Sequence, residues 1–216
     1  MSFGLIQASG LIYAKFATAV ELTSYLLALR IIQIISQLSQ PPFYSKLPQL
    51  ARIQMSGSKA EQISIAKRSM RYAHILFVLG FVAVGLGMKF MLQLIGSSAE
   101  FVSPLTWTLL GLAFFFERVG AMHLQFYSTT NHIVWHVANG VTGIIMIFMA
   151  VLFYKLLGVQ GFPLAMLAAY LIFYCPYSML HSYRAFGLDK SFELSVSAAP
   201  LAILSTYLLV VLILAI

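Results

Sequence analysis

Five stretches of the chain, Tyr72–Ile95, Pro104–Tyr127, Ile133–Tyr154, Gly161–Tyr183 and Leu194–Ile216, each run for 22–24 residues with almost no charge. Wound as a helix at about 1.5 Å per residue, such a stretch covers the roughly 30 Å of hydrocarbon in a bilayer. Backbone polar groups have no water to bond there, so a segment that crosses must satisfy them internally, as a helix does. A sixth stretch, Leu22–Tyr44, is apolar but interrupted by Arg30, Gln33, Gln37 and Gln40. Phe3–Ala14 is too short for a full crossing and reads as the stub of a truncated span. The pattern predicts an all-α protein, a polytopic transmembrane helical bundle of about seven helices.

Composition closes off the alternatives. Of 216 residues, 61% are hydrophobic and 9% charged, against about 45–50% and about 25% in soluble domains. A soluble globule of this size needs more polar surface, and a disordered chain is never this apolar. Cys175 is the only cysteine, which excludes a disulfide scaffold. The net charge of +7 reads as basic loops held on the cytoplasmic side, not as a nucleic-acid surface. No secretory signal is visible, because the first basic residue, Lys15, follows the apolar N-terminal run instead of preceding it.

Charge also assigns sides. The loop between the second and third spans carries Lys46, Arg52, Lys59, Lys67, Arg68 and Arg71 against Glu61 alone, so it belongs in the cytoplasm. Ser58-Lys59-Ala60-Glu61 reads as a capping box, and the helix it opens is expected to run through Arg71 into the membrane without a break. The remaining loops then alternate. Gly96–Ser103, with only Glu100, falls outside; Ser128–His132 is a tight inside turn; Leu156–Val159 is a tight outside turn; Arg184–Lys190 is again basic and inside. Lys89, near the outer end of its span, is the exception and must snorkel or face a cavity. The N-terminus comes out cytoplasmic and the C-terminus external, and the chain looks clipped at both ends.

Polar groups at depth are expensive in lipid and are functional candidates by default. Arg30, Gln33, Gln37 and Gln40 follow 3-4-3 spacing, which places them on one helical face with Ser36 at its margin. Such a stripe lines a helix–helix contact or a wet cavity. For Arg30 the cavity is favoured, since five N–H donors are hard to satisfy inside a dry bundle. Glu117 and Arg118, adjacent in mid-span, project about 100° apart and do not simply pair with each other. Glu117, Ala121, Gln125, Ser128 and His132 continue one face. Glu117 is the candidate carboxylate for proton or cation coupling, with an internal salt bridge as the competing role; Arg118 and Gln125 join the candidate cavity lining.

The other signals are weaker. His132 and His136 have the i,i+4 spacing of a metal pair but no carboxylate or cysteine close by, so interfacial hydrogen bonding fits better and no metal is assigned. His74, His123 and His181 look isolated. Trp107, Trp135, Tyr44, Tyr127 and Tyr183 fall near span ends, as an aromatic belt requires. Pro41-Pro42 and Pro48 break or end the Gln-striped helix. No nucleotide loop, prenyl-diphosphate carboxylate pair or Ser/His/Asp set in reach is visible, so no cofactor is expected and transport is favoured over catalysis.

Three segments stand out: Tyr25-Leu26-Leu27-Ala28-Leu29-Arg30 with Pro48-Gln49-Leu50-Ala51 opening a basic helix, the turn Tyr127-Ser128-Thr129-Thr130-Asn131-His132, and Gly158-Val159-Gln160-Gly161-Phe162-Pro163-Leu164-Ala165. In these the chain resembles the bacterial polysaccharide and lipid-linked oligosaccharide flippases of the multidrug/oligosaccharidyl-lipid/polysaccharide exporter superfamily. The order and spacing of the segments carry the resemblance more than any one of them. It implies that residues 1–184 are the second six-helix bundle of a two-bundle flippase fold, its first helix truncated. Residues 185–216 would then add a cytoplasmic loop and one further C-terminal helix.

The function so implied is movement of an undecaprenyl-diphosphate-linked sugar across the bacterial cytoplasmic membrane. Arg30 matches a position where the family places a basic residue facing the central cavity. The family often has Gly-Lys in the short inside turn, where this chain has Asn131-His132. The implied partners are the bilayer, the lipid-linked oligosaccharide and a missing N-terminal bundle, in cis or from a separate chain. The alternatives are a cation-coupled multidrug or metabolite antiporter of the same superfamily, a membrane enzyme of glycan or lipid metabolism, and a non-transporting subunit.

Overall fold

A computed structural model describes residues 17–94, 96 and 100–214; the Phe3–Ala14 stub and Lys15 lie outside the described residues. Every regular element among them is helical. In chain order these are α1 (Ala19–Leu38), a single short turn α2 (Pro41–Tyr44), α3 (Leu47–Ser56), α4 (Lys59–Leu94), α5 (Pro104–Ser128), α6 (Trp135–Leu157), α7 (Gly161–Ala169), α8 (Cys175–Phe186) and α9 (Lys190–Leu214). Among the described residues, five stretches are long and apolar enough to cross a membrane: Ala19–Met55, Lys59–Met88, Pro104–Ser128, Trp135–Phe186 and Lys190–Val211. The fourth, of 52 residues, reverses at Gly158, where φ is +62°. It therefore folds as a hairpin, with α6 as one leg and α7–α8 as the other.

Local chemistry sets the helix ends. α1 starts three residues earlier than the hydropathy indicates, because Thr18 caps it. The Glu21 N–H donates to Thr18 Oγ1, while Glu21 Oε2 accepts from the Thr18 N–H at 2.9 Å. α4 begins at Lys59, directly after Gly57 (φ +81°) and Ser58, and continues unbroken for 36 residues, as its sequence predicts. Ser103 caps α5, with proline following at the first helical position, where a missing N–H costs nothing. α8 ends at Gly187 in the left-handed region, its N–H returning to the Tyr183 carbonyl.

Asp189 opens α9: its Oδ1 accepts from the Phe192 N–H at 3.0 Å and the Ser191 hydroxyl at 2.7 Å. These two donors hold its exposed carboxyl below the ordinary aspartate range. Because the folded form binds a proton less readily than the unfolded one, this cap is intact above the ordinary range and is lost as pH falls through the lowered value. Amide exchange at Phe192, corrected for the intrinsic rate, is accordingly expected to accelerate in strong acid, and Asp189→Ala is expected to show that faster exchange at neutral pH. Unchanged protection in the variant would remove Asp189 from the role.

α5 is the central helix: 83% of its membrane-length window is buried, against 22–44% for the other four stretches. It touches α1, α4, α7, α8 and α9. Two apolar clusters surround it. The larger joins Tyr25, Phe81, Trp107, Phe115 and Phe162; the smaller, at the basic end, joins Phe43, Leu50, Met70, Phe126, Phe186 and Phe192. Phe192 and Val196 lie in that second cluster, so α9 packs on the bundle it follows. Trp107 does not belong to an interfacial belt. It is 1% exposed, stacked on Phe81 at 5.1 Å, and its indole N–H reaches the Phe81 carbonyl at 3.3 Å. Large apolar side chains on the outside, such as Leu79, Leu86, Ile144, Phe148 and Ile213, suit lipid and not water.

The ends of the bundle differ in charge. Glu21, Glu100, Ser103 and Gln160 border one hollow of about 240 Å³, which places the starts of α1 and α5 and the α6–α7 turn at one end. Lys155, in the last turn of α6, belongs to that end too. The α3–α4 segment and the α8–α9 turn, with Lys46 to Arg71 and Arg184 to Lys190, form the opposite, basic end. The side chain of Lys89 lies outside the described residues.

Candidate functional site

The Gln-striped helix α1 divides its polar face into two rows. Arg30 and Gln37, seven residues apart, are exposed; Gln33 is buried and Gln40 half-buried. At 100° per residue, the second row lies about 60° from the first, enough to turn one toward the bundle and leave the other outside. Arg30 is the twelfth of twenty residues in α1 and shares its exposed side with Leu26 and Ile34. Among the described residues no carboxylate pairs with it. The Oε1 of Gln33 is buried without a hydrogen-bond partner.

Arg118 is not a lining residue of a cavity. It is 1% exposed and bound to the backbone of two helices. Nη1 donates to the Ser36 carbonyl at 2.6 Å and to its hydroxyl at 3.3 Å; Nη2 donates to the Ser39 carbonyl at 3.0 Å and the Ala73 carbonyl at 3.4 Å. The reason lies in the prolines. Around Pro41-Pro42 the ladder tightens, so the Gln40 N–H goes to Gln37 and the Phe43 N–H to Gln40. The backbone donors due to Ser36 and Ser39 are thereby diverted, and the planar fork of a guanidinium replaces them at the negative end of the α1 dipole. Phe77 lies 5.3 Å from the guanidinium carbon. The proline pair therefore ends α1 inside the bundle, against α5.

Glu117, also buried, has Tyr44, Tyr170 and Tyr174 within electrostatic range. Gln125, half-buried about two turns on, lies beside Tyr44. Arg118, Glu117 and Gln125 thus belong to one buried polar layer between α5 and the α1–α2 break, whereas Arg30 stands apart on the outer face. His132 and His136 are both exposed, and no cluster of three metal-ligating side chains is present among the described residues. His132 Nδ1 instead meets Thr130 Oγ1 at 3.1 Å, and the Trp135 indole donates to Ser128 at 3.1 Å. Asn131 between them takes φ +65°, a conformation asparagine tolerates better than most residues.

A polar chain absent from the sequence reading crosses the basic half of the bundle. His123 on α5, read as isolated, bonds Ser182 on α8 through Nδ1 at 2.8 Å and Glu193 on α9 through Nε2 at 3.0 Å. The Ser197 hydroxyl donates to the second oxygen of Glu193. A serine, a histidine and a carboxylate do therefore come within reach of one another. Ser182 is fully buried, however, so its hydroxyl cannot meet an acyl or phosphoryl group, and the set fastens α8 and α9 to α5. On its outer side Glu193, with Tyr183 and Lys190, borders a mostly apolar groove of about 700 Å³ between α8 and α9. The available signal is the i,i+4 pairs Ser178/Ser182 and Glu193/Ser197; a last span that begins at Leu194 excludes Glu193.

Geometry and burial define a helical bundle with five membrane-length apolar stretches and a polar layer through its central helix. No protein-family model, curated protein or solved structure matches the chain.

Proposed function

We propose that the chain is one bundle of a membrane transporter that moves an undecaprenyl-diphosphate-linked oligosaccharide between the leaflets of the bacterial cytoplasmic membrane, for surface polysaccharide synthesis, by alternating access. Arg30 carries the reading. A guanidinium at mid-helix, on the outer face of an apolar bundle, is costly against lipid and matched to a diphosphate, whose oxygens accept its forked N–H groups. The face bearing Arg30 and Gln37 would then border a wet cavity closed by a second bundle, in cis or from a separate chain. In this reading the protein is a transporter and not an enzyme, with about seven crossings, its basic end in the cytoplasm and its C-terminus in the periplasm. It needs no cofactor and engages no nucleic acid.

In cells that depend on the intact transporter, Arg30→Ala is expected to lower surface polysaccharide by about tenfold or more, the loss of a charge-assisted hydrogen bond, with membrane insertion unchanged. Arg30→Lys keeps a charge without the fork and is expected to retain part of the export. Undiminished polysaccharide in Arg30→Ala would remove the residue from the cavity. The second reading, a cation-coupled antiporter, is favoured by the His123–Glu193 pair, an imidazole and a carboxylate beside the α8–α9 groove. Under that reading export would follow a proton or sodium gradient and fail in Glu193→Gln while surviving Arg30→Ala.

A further inference from the structure

At the basic end, where α4 passes from its charged first turns into apolar sequence, a cleft of about 380 Å³ opens between the α2–α3 junction and α4. Lys46 reaches it from one wall and Arg68 from the other, with Gln49 and Tyr72 completing the polar lining. Both cations are exposed, and neither has a carboxylate partner among the described residues. The guanidinium carbon of Arg68 lies 5.7 Å from the Tyr72 ring centre, a contact that orients the side chain without neutralising it. Two converging, uncompensated cations with an amide and a phenol beside them are the donor set that a phosphate monoanion or diester takes.

What lies beyond the cleft narrows the ligand. Arg68, Tyr72, Leu76 and Leu79 follow 4-4-3 spacing and share one face of α4. Leu76 and Leu79 are 46% and 58% exposed, so an apolar track leads directly from the cationic cleft into the depth of the membrane. A solute phosphate has no use for that track. A phosphate carried on acyl chains occupies both parts at once.

We propose that the Lys46–Arg68 cleft is a binding site for one anionic phospholipid, with the headgroup phosphate between Lys46 and Arg68 and an acyl chain along Leu76 and Leu79. The site is separate from the Arg30 face and does not depend on the transport reading. Each cation facing such a lipid contributes about fivefold to affinity.

The test is native mass spectrometry of the full chain released from micelles. Three additions are compared: phosphatidylglycerol, phosphatidylcholine with the same acyl chains, and inorganic phosphate. Phosphatidylglycerol is expected to remain bound and phosphatidylcholine to dissociate, with millimolar phosphate failing to displace the lipid. Lys46→Gln and Arg68→Gln are each expected to weaken phosphatidylglycerol about fivefold, and together about 25-fold, while Arg68→Lys retains most of the affinity. Arg52→Gln, a charge change on the same end outside the cleft lining, is expected to leave binding unchanged. Equal retention of phosphatidylcholine, displacement by inorganic phosphate, or an equal loss in Arg52→Gln would each overturn the proposal. The first would mean an unselective lipid surface, the second a solute anion site, and the third diffuse attraction to the basic end.

Discussion

Arg118→Ala is expected to destabilise the bundle by about 3 kcal/mol or more, measured as reversible unfolding in mixed micelles. The side chain supplies the Ser36 and Ser39 carbonyls with donors that the proline-broken backbone does not provide, and it also reaches the Ala73 carbonyl on the unbroken α4. A buried acceptor left without a partner costs about 1–3 kcal/mol; without Arg118 the Ser39 carbonyl stands at the end of a helix that cannot re-form its ladder past Pro41, and the Ser36 carbonyl keeps only the Ser39 hydroxyl at 3.0 Å. Arg118→Lys keeps the charge, but a compact ammonium cannot serve two carbonyls three residues apart as a planar fork does, so it is expected to recover less than half the loss. Substituting the prolines gives the converse check. With Pro41 and Pro42 both changed to Ala, backbone donors return and the cost of Arg118→Ala should shrink. An Arg118→Ala effect below about 0.5 kcal/mol, the size of an ordinary surface substitution, would contradict this role.

Gly161→Ala is the second large effect, expected to cost about 1–3 kcal/mol as an overpacked core does, and more if the hairpin legs separate. Gly161 has ordinary helical angles, φ −61° and ψ −26°, so conformation does not require glycine there. Space does: a methyl group at this position would sit 2.5 Å from the Phe153 carbonyl oxygen and 2.7 Å from the Tyr154 nitrogen. Those are backbone atoms of α6 and cannot rotate away. Gly158 requires glycine for the opposite reason. Nothing lies within 4 Å of a methyl group there, but φ +62° with ψ −141° is a region that side chains exclude. Cysteine pairs across the α6–α7 turn separate the two cases. Cross-linking between the legs should fall in Gly161→Ala in proportion to the lost stability, and unaltered cross-linking with unaltered stability would refute the close-approach argument.

The helices were legible because their signal is long and one-dimensional. Roughly twenty uncharged residues in a row admit one conformation in a bilayer, and the unbroken run from Lys59 through Arg71 followed directly. Sites were less legible, because whether a polar residue faces in or out depends on which neighbour it meets. Arg30 and Arg118 look equally out of place in sequence, yet one is exposed and the other is held through its two Nη atoms by backbone carbonyls from α1 and α4. Apart from the Ser36 hydroxyl, the partners of Arg118 are main-chain carbonyls, which leave no mark in the identity of Ser36, Ser39 or Ala73. His123 and Glu193 are 70 residues apart, and no local spacing links them. Trp107 was read by its position near a span end, whereas stacking on Phe81 decides where it lies.

Between α7 and α8 the helix does not stop but widens. Over Tyr170–Tyr174 the turns are of π type, the Cys175 N–H reaching back five residues to Tyr170, just before Pro176. One extra residue in a turn shifts everything after it by about 100° relative to everything before. The leg is thereby cut into two sectors with independent phase. The upper sector is timed to meet α6 at Gly161, and the lower is timed so that Ser178 and Ser182 point at α5. Losing a single residue from 170–174 would leave the hairpin in register while rotating Ser182 off His123. The length of that one turn acts as a vernier, setting the polar half of the molecule without disturbing the apolar half.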